Sequence, residues 1–386
     1  MVTEPGAGPL TGIRVLEVGH ILAGPFAGML LADLGADVIK IEPIDGDLSR
    51  QVGSQFVDEH NVYFASLNRN KRSIHIDLTT AEGQAQLGAL AETAHALLVN
   101  LRPSSIKKLG LDYDSLRRFN PKIVCVALSG YGLEGEAAEW PAFDYVIQAS
   151  VGIADMTGEP DGPPTLAGYS AVDNSSGIMA ALALVAKVLE GKGGQVDISL
   201  FDVMLAQLNY KAATYLNGGG APVRQPLGAD TFYVPAQLFA TASGYLALFV
   251  THDEFWRRLC AEIDCTDWAE DPRFSTMHAR FENRTELLDA LGARLQKATA
   301  AEWVERLRPL GIPVAAVVNL GDVLDGELVR TRGMVVSVDT DAGPLQMVGN
   351  PIRIAGTEPR YGAPPRLHEH TDEVLPPPEA ERPQAS

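Results

Sequence analysis

Between residues 13 and 129 short apolar runs alternate with helical stretches, and few folds accommodate that alternation. Residues 13–18 read as a buried strand, 20–25 as a loop, 26–34 as a helix and 38–42 as a second strand. The pattern continues through a strand at 73–78, a helix at 80–93, and strands at 96–100 and 123–129. Runs this apolar need cover on both faces, which a parallel sheet with crossover helices supplies. The expected class is α/β, with a large Rossmann-like parallel-sheet domain.

From Asp144 the pattern turns helical, broken by a stretch rich in Gly and Pro at 158–168 that leads into Ala171, Val172, Asp173, Asn174, Ser175, Ser176 and Gly177. An apolar helix is expected at 178–189, a strand at 195–200 and a long helix through Tyr215. Gly218 to Gly220 mark a linker, so the large domain spans 1–217. A smaller α+β domain is expected over 225–328, with strands at 245–250 and 314–319, a helix at 253–263 and two more between 285 and 310. Residues 329–386 would return to the large domain and end in an acidic, Pro-rich tail whose last ten or so residues are expected to be disordered.

Several function classes fall away on composition. A formal charge of −18 opposes binding to nucleic acid or anionic lipid, so phosphate-bearing ligands must meet a local basic cluster. Three cysteines, Cys125, Cys260 and Cys265, suit neither a disulfide framework nor a zinc site. The first ten residues lack the pattern of an export signal, and the apolar stretch 178–186 is shorter than the roughly 20 residues that span a bilayer. A cytoplasmic protein is expected.

Asp173 has two readings: an N-cap for the following helix, or a carboxylate held ionised and exposed by the helix N-terminus, able to attack a thioester. His20 follows the first strand, at the edge where open α/β sheets bind ligands, or is an incidental loop residue. Two basic clusters, Arg69 to Arg72 and Arg102 with Lys107 and Lys108, could meet phosphates or simply be solvated, and both are expected at loop edges of one sheet. Gly19 to Gly24 lacks the dinucleotide fingerprint, and Ser129 to Gly132 lacks the hydrolase elbow. His368 and His370 have no third ligand at a useful spacing, so no metal and no permanently bound cofactor is expected.

Four segments resemble the class III CoA-transferases, also called CaiB/BaiF, whose members include formyl-CoA transferase, carnitine CoA-transferases and α-methylacyl-CoA racemase. They are PLTGIRVLEVGHILAGPFAGMLLADLGADVIKIE from Pro9, LNRNKRSIHIDL from Leu67, DGPPTLAGYSAVDNSSG from Asp161 and HEHTDEVL from His368. The resemblance spans nearly the whole chain. It implies that Asp173 is the catalytic aspartate, and that CoA contacts come from His20, Ile21 and Ala23, from Asn70, Lys71 and Arg72, and from Asn100, Lys108 and Leu109. It also implies ring-shaped chains that interlock as a homodimer, with acyl-CoA and a free carboxylic acid as substrates.

Three departures from the family pattern narrow the expectation. Pro43 stands where some relatives have an arginine, so that phosphate contact must be absent or come from elsewhere. Racemases of the family resemble one another in a Gly-His-Asp sequence where this chain has Ala142, Phe143 and Asp144, and phenylalanine cannot exchange a proton. Formyl-CoA transferase has a tetraglycine loop where this chain reads PLGAD from Pro226, which makes oxalate and formate doubtful as the physiological pair. The implied activity is CoA transfer between carboxylic acids through a covalent aspartyl intermediate. The alternatives are an α-methylacyl-CoA racemase or epimerase, which would exchange the Cα proton with solvent, and a non-catalytic acyl-CoA-binding protein, which would form no covalent adduct.

Overall fold

The structure is a computed structural model that describes residues 8–57, 59–340 and 343–375. The chain forms two compact units: the residues up to Val151 with Gly168–Ala213 and those from Glu327 on, and a second unit of Gly152–Ala167 with Thr214–Gly326. Residues 152–167, assigned above to the large domain, therefore group with the second unit. The end of the acidic tail, beyond residue 375, lies outside the described residues.

In the first unit, β1 (Arg14–Val18), β2 (Asp37–Glu42), β3 (Arg72–His75), β4 (Ala96–Val99), β5 (Val124–Ser129) and β6 (Gly194–Ser199) form one sheet in the order β3-β2-β1-β4-β5-β6. Every neighbouring pair is parallel. This is the doubly wound order, in which the chain reverses direction across the sheet between β1 and β4 and opens a crevice at their carboxyl ends. All residues of β4 and β5 are buried, which explains their unbroken apolar character. β3 is shorter than its apolar run suggested, stopping at His75.

The flanking helices that matter here are α1 (Ala23–Asp33), α2 (Val62–Asn68), α3 (Ala81–Thr93), α4 (Pro103–Lys108), α5 (Asp144–Ser150) and α6 (Ala171–Glu190). Thr80 starts α3 by accepting the Gly83 N–H at 3.0 Å. Gly191, at φ 73°, ends α6 in the left-handed conformation that glycine takes without strain. Small residues let α1 and α6 approach closely: a Cβ on Gly177 would lie 2.8 Å from the Ala23 carbonyl oxygen. The helix expected to run through Tyr215 is two, Leu200–Gln207 and Asn209–Leu216.

α6 corrects two expectations. It begins at Ala171 rather than beyond Gly177, so Asp173 lies inside its first turn. Its 20 residues make it long and apolar enough to cross a membrane by length and composition. Val172, Ser176, Ala180 and Leu184 are nevertheless buried along one face of it, inside the first unit.

After Glu327 the chain adds an antiparallel hairpin, Val335–Thr340 with Gly343–Val348, whose Val338, Leu345 and Met347 pack on Ala65 of α2. His370 then bonds along β3, its N–H donating to the Ser73 carbonyl at 2.9 Å.

The second unit carries a three-stranded antiparallel sheet in the order Val314–Ala316, Tyr245–Phe249, Ala236–Ala240, the last of which was not expected. The helices Asp253–Glu262, Arg284–Leu295 and Ala300–Leu307 share one core with it, around Phe239, Trp256, Leu287 and Trp303. Buried Arg280 is satisfied inside it by the carbonyls of Val234 and Phe274 at 2.9 and 3.0 Å and by Asp253 at 2.8 Å.

Candidate active site

The crevice between β1 and β4 is closed at its base by two loop residues that bond each other twice. The His20 N–H donates to Asn100 Oδ1, and Asn100 Nδ2 donates to the His20 carbonyl, both at 3.0 Å. From this clasp two cavities open. One, of about 370 Å³, is lined by His20, Ile21, Ala23, Asn100, Arg102 and Asp173, with Trp140 and Phe143 on its apolar side. The other, of about 700 Å³, shares His20 and Leu101 with the first and extends along the carboxyl ends of β2 and β3 past Leu109. Together these adjoining cavities form a trough that combines apolar with acidic lining, Asp173 in the first and Glu42, Asp45 and Asp47 in the second.

Asp173 is not a cap. Ser170 occupies the N-cap of α6 without a side-chain bond, and the first N–H groups are taken by a carboxylate from 29 positions upstream: Asp144 Oδ2 accepts from Val172 at 2.7 Å and from Asp173 at 3.1 Å. Gln148 holds the other Asp144 oxygen at 2.5 Å. The Asp173 carboxylate itself has no hydrogen bond or ion pair among the described residues, and it is not held strongly ionised as expected above. Burial, and then the Asp144 charge, push its pKa up to about 6. A carboxylate of that basicity is still ionised at neutral pH and is a better nucleophile than an ordinary one. Tyr63 of α2 belongs to the same surroundings, its phenol raised by burial and then by Asp173 and Asp47.

His20 titrates low, chiefly through burial and against the pull of Asp47, so it presents a neutral imidazole. Ile21 is held at φ 67°, a costly conformation for a β-branched residue, on the order of 1–3 kcal/mol. Its N–H donates to Asp47 Oδ1 at 3.0 Å, which keeps the strained turn in place.

The site residues named from the sequence thus divide. Asp173, His20, Ile21, Ala23 and Asn100 line one cavity, and Leu109 lines the other. Lys108 is exposed at the end of α4 and lines neither. Asn70, Lys71 and Arg72 are not brought together with the others, because Asn70 and Lys71 precede β3 and Arg72 opens it, which places them at the amino edge of the sheet. Asn70 Nδ2 donates to Asp33 at 2.8 Å, Arg72 pairs with Asp37 at 2.6 Å, and Lys71 is fully enclosed beside Glu17 at 2.8 Å. Both basic clusters thus flank the same sheet, as expected, but at its opposite edges. Only Arg102 of the second cluster reaches a cavity.

Asp144, Asp47 and Tyr63 were missed, since nothing local marks them. The aspartate next to Phe143 could have been found by asking what satisfies the start of α6 once Asp173 is freed from capping. The PLGAD segment lies in the second unit, where the Leu227 N–H donates to Glu159 at 2.8 Å.

A family model described as CoA-transferase family III matches residues 10–371. The chain is 35% identical over 381 residues to the succinate–glutarate CoA-transferase of Agrobacterium fabrum, covering 95% of each chain. It is 34% identical to the acetyl-CoA:oxalate CoA-transferase of Acetobacter aceti, covering 94% of each. The crystal structure of a CaiB/BaiF family protein from Brucella suis superposes with a TM-score of 0.83 at 32% identity, covering 95% of this chain and 98% of that one.

Proposed function

Because this chain belongs to CoA-transferase family III, we propose that it moves CoA from an acyl-CoA to a free carboxylic acid with Asp173 as the covalent carrier. Asp173 Oδ attacks the thioester carbonyl, the C–S bond breaks, and an acyl-aspartyl anhydride and CoA thiolate result. The thiolate attacks the aspartyl carbonyl, releasing the donor acid and leaving an aspartyl-CoA thioester. The acceptor carboxylate attacks that thioester and expels thiolate again. Thiolate then takes the acceptor acyl group, and Asp173 returns as a free carboxylate.

One observation carries this proposal: a half-buried carboxylate without a partner among the described residues, its pKa pushed up to about 6, lines a cavity that opens at the sheet's reversal point. The trough beyond it has apolar lining of the kind a pantetheine arm packs against, and His20, Ile21, Ala23 and Asn100 would meet that arm. Phe143 on the same cavity wall gives the racemase alternative no acid or base at that position.

A homodimer is part of the proposal. α6 leaves Ile178, Leu182 and Leu189 at 54%, 60% and 81% exposure, an apolar stripe of the kind that a second copy of the chain covers. Interlocked rings are the arrangement proposed for it. The three free, buried cysteines suit a reducing compartment, and a cytoplasmic location is proposed with them.

The test is a panel of acyl-CoAs and carboxylic acids followed by mass spectrometry, with hydroxylamine added to trap the carrier. New thioesters together with a hydroxamate on Asp173 are expected. Exchange of the Cα proton without an acceptor, or tight acyl-CoA binding with no adduct, would replace the proposal by one of its alternatives.

A further inference from the structure

Lys71 lines neither of the two cavities described above, yet its surroundings tie it to the wall of the one that holds Asp173. Its side chain is wholly enclosed, and its Nζ lies 2.8 Å from Glu17 Oε2, from the Pro25 carbonyl and from Asn68 Oδ1. Glu17 is shared with a second buried cation: Lys40 Nζ sits 2.9 Å from Glu17 Oε1, 2.7 Å from Asp47 Oδ2 and 2.8 Å from the Gly19 carbonyl. Asp47 in turn accepts the Ile21 N–H. Two lysines and two carboxylates, none exposed, therefore grip the loop between β1 and α1 and the first turn of α1 at three backbone groups: the carbonyl of Gly19, the N–H of Ile21 and the carbonyl of Pro25.

Those grip points bracket the cavity wall, since His20 to Ala23 line the cavity that contains Asp173. They also set the start of α1, which touches α6 where Gly177 leaves room for the Ala23 carbonyl, one turn beyond Asp173. Gly28 of α1 makes space for the Glu17–Lys71 pair, because any Cβ there would collide with Glu17 Oε2. The alternative, that Lys71 binds a phosphate directly, would require an enclosed and threefold-coordinated ammonium to leave its partners.

We propose that Lys71 is a positioning residue: acting through Glu17 and the Pro25 carbonyl, it holds the His20–Ala23 wall and the α1–α6 contact in the arrangement that admits CoA beside Asp173. This rests on the CoA-transferase proposal above. It assigns Lys71 a different role from the direct CoA contact implied by sequence resemblance.

The test measures binding of free CoA by titration calorimetry and steady-state KM and kcat, in wild type, Lys71→Met and the double variant Glu17→Gln/Lys71→Met. Lys71→Met should weaken CoA binding and raise KM for acyl-CoA roughly tenfold, with kcat changed much less, because a displaced wall misplaces substrate without removing the nucleophile. It should also melt early, since Glu17 keeps only one of its two cations. The double variant removes that stranded charge and should recover melting temperature while CoA binding stays weak, because nothing yet holds Pro25. Should the single variant not fold, the double variant decides alone. A double variant that binds CoA as wild type does would show that Lys71 serves stability only and would overturn the proposal. Wild-type protein that binds no CoA would instead sink the site assignment itself, so the two failures are distinguishable.

Discussion

At the amino edge of the parallel sheet Arg72 grips both Asp37 oxygens at 2.6 and 2.7 Å, whereas at the carboxyl edge neither Asp173 nor Arg102 has an ion pair among the described residues. The amino edge continues in the same way: Arg14 also pairs with Asp37, and Arg69 holds Asp33 at 2.6 Å with Asn70 and Asn350 on the same carboxylate. At the amino edge these charges are cancelled within the protein, whereas at the carboxyl edge, beside paired charges such as Glu42 with Arg50, two are left available to something else. Charges of the first kind maintain the fold. An unpaired, desolvated charge is costly to keep and is expected where substrate completes the set.

Four experiments probe that contrast, beginning with the largest effect. Asp173→Ala should reduce CoA transfer by on the order of 10⁴-fold while CoA binding survives in calorimetry; near-normal transfer would end the covalent mechanism. Arg69→Ala attacks the opposite edge, leaving Asp33 buried without its cation. Denaturant titration should show a loss of about 3 kcal/mol, with kcat per folded molecule unchanged.

Asp173→Asn tests the cost of the free carboxylate. The native pKa, about 6, exceeds the ordinary carboxylate value of 3.8, so between those values the folded protein binds more protons than the unfolded chain. Wild-type stability therefore falls as pH rises from about 4 to 6, and the asparagine variant should be more stable by up to about 3 kcal/mol at pH 7.5 and by nothing near pH 3. Thermal melts across that range check it, and kcat/KM of wild type should decline below pH 6 as the nucleophile protonates. The smallest effects should come from two arginines compared directly. Arg102→Ala should raise KM for acyl-CoA several-fold by removing one charge-assisted contact, on the order of 1 kcal/mol. Arg72→Ala should leave KM unchanged and cost at most about 1 kcal/mol of stability, as partly exposed pairs do.

Much of the sheet was legible in the sequence, because strands buried on both faces appear as unbroken apolar runs. β1, β2, β4 and β5 fell within a residue or two of the expected limits for that reason. The start of α6 was hidden: Asp173, Asn174, Ser175 and Ser176 look like a loop until Asp144, far away in the chain, supplies the acceptor for the N–H groups of Val172 and Asp173. That supply is a tertiary contact, which no local pattern encodes. Asp173, His20 and Asn100 were found by position and by resemblance, yet the freedom of the Asp173 carboxylate depends on who does its capping. The enclosure of Lys71 was hidden for a similar reason. A lysine beside Asn70 and Arg72 looks solvated, and only the arrival of Glu17 from another strand buries it.

The paired amide bonds between His20 and Asn100 bear on how this scaffold can be altered. Gly19 and Gly24 both face that asparagine, and a methyl group on either would sit 2.5 or 2.9 Å from its amide, so the floor of the trough tolerates almost no change. The opposite wall, where Trp140 and Phe143 stand 59% and 69% exposed, has no such interlock. Variation in which acids are accepted should therefore accumulate there, and libraries meant to retune selectivity belong on that side.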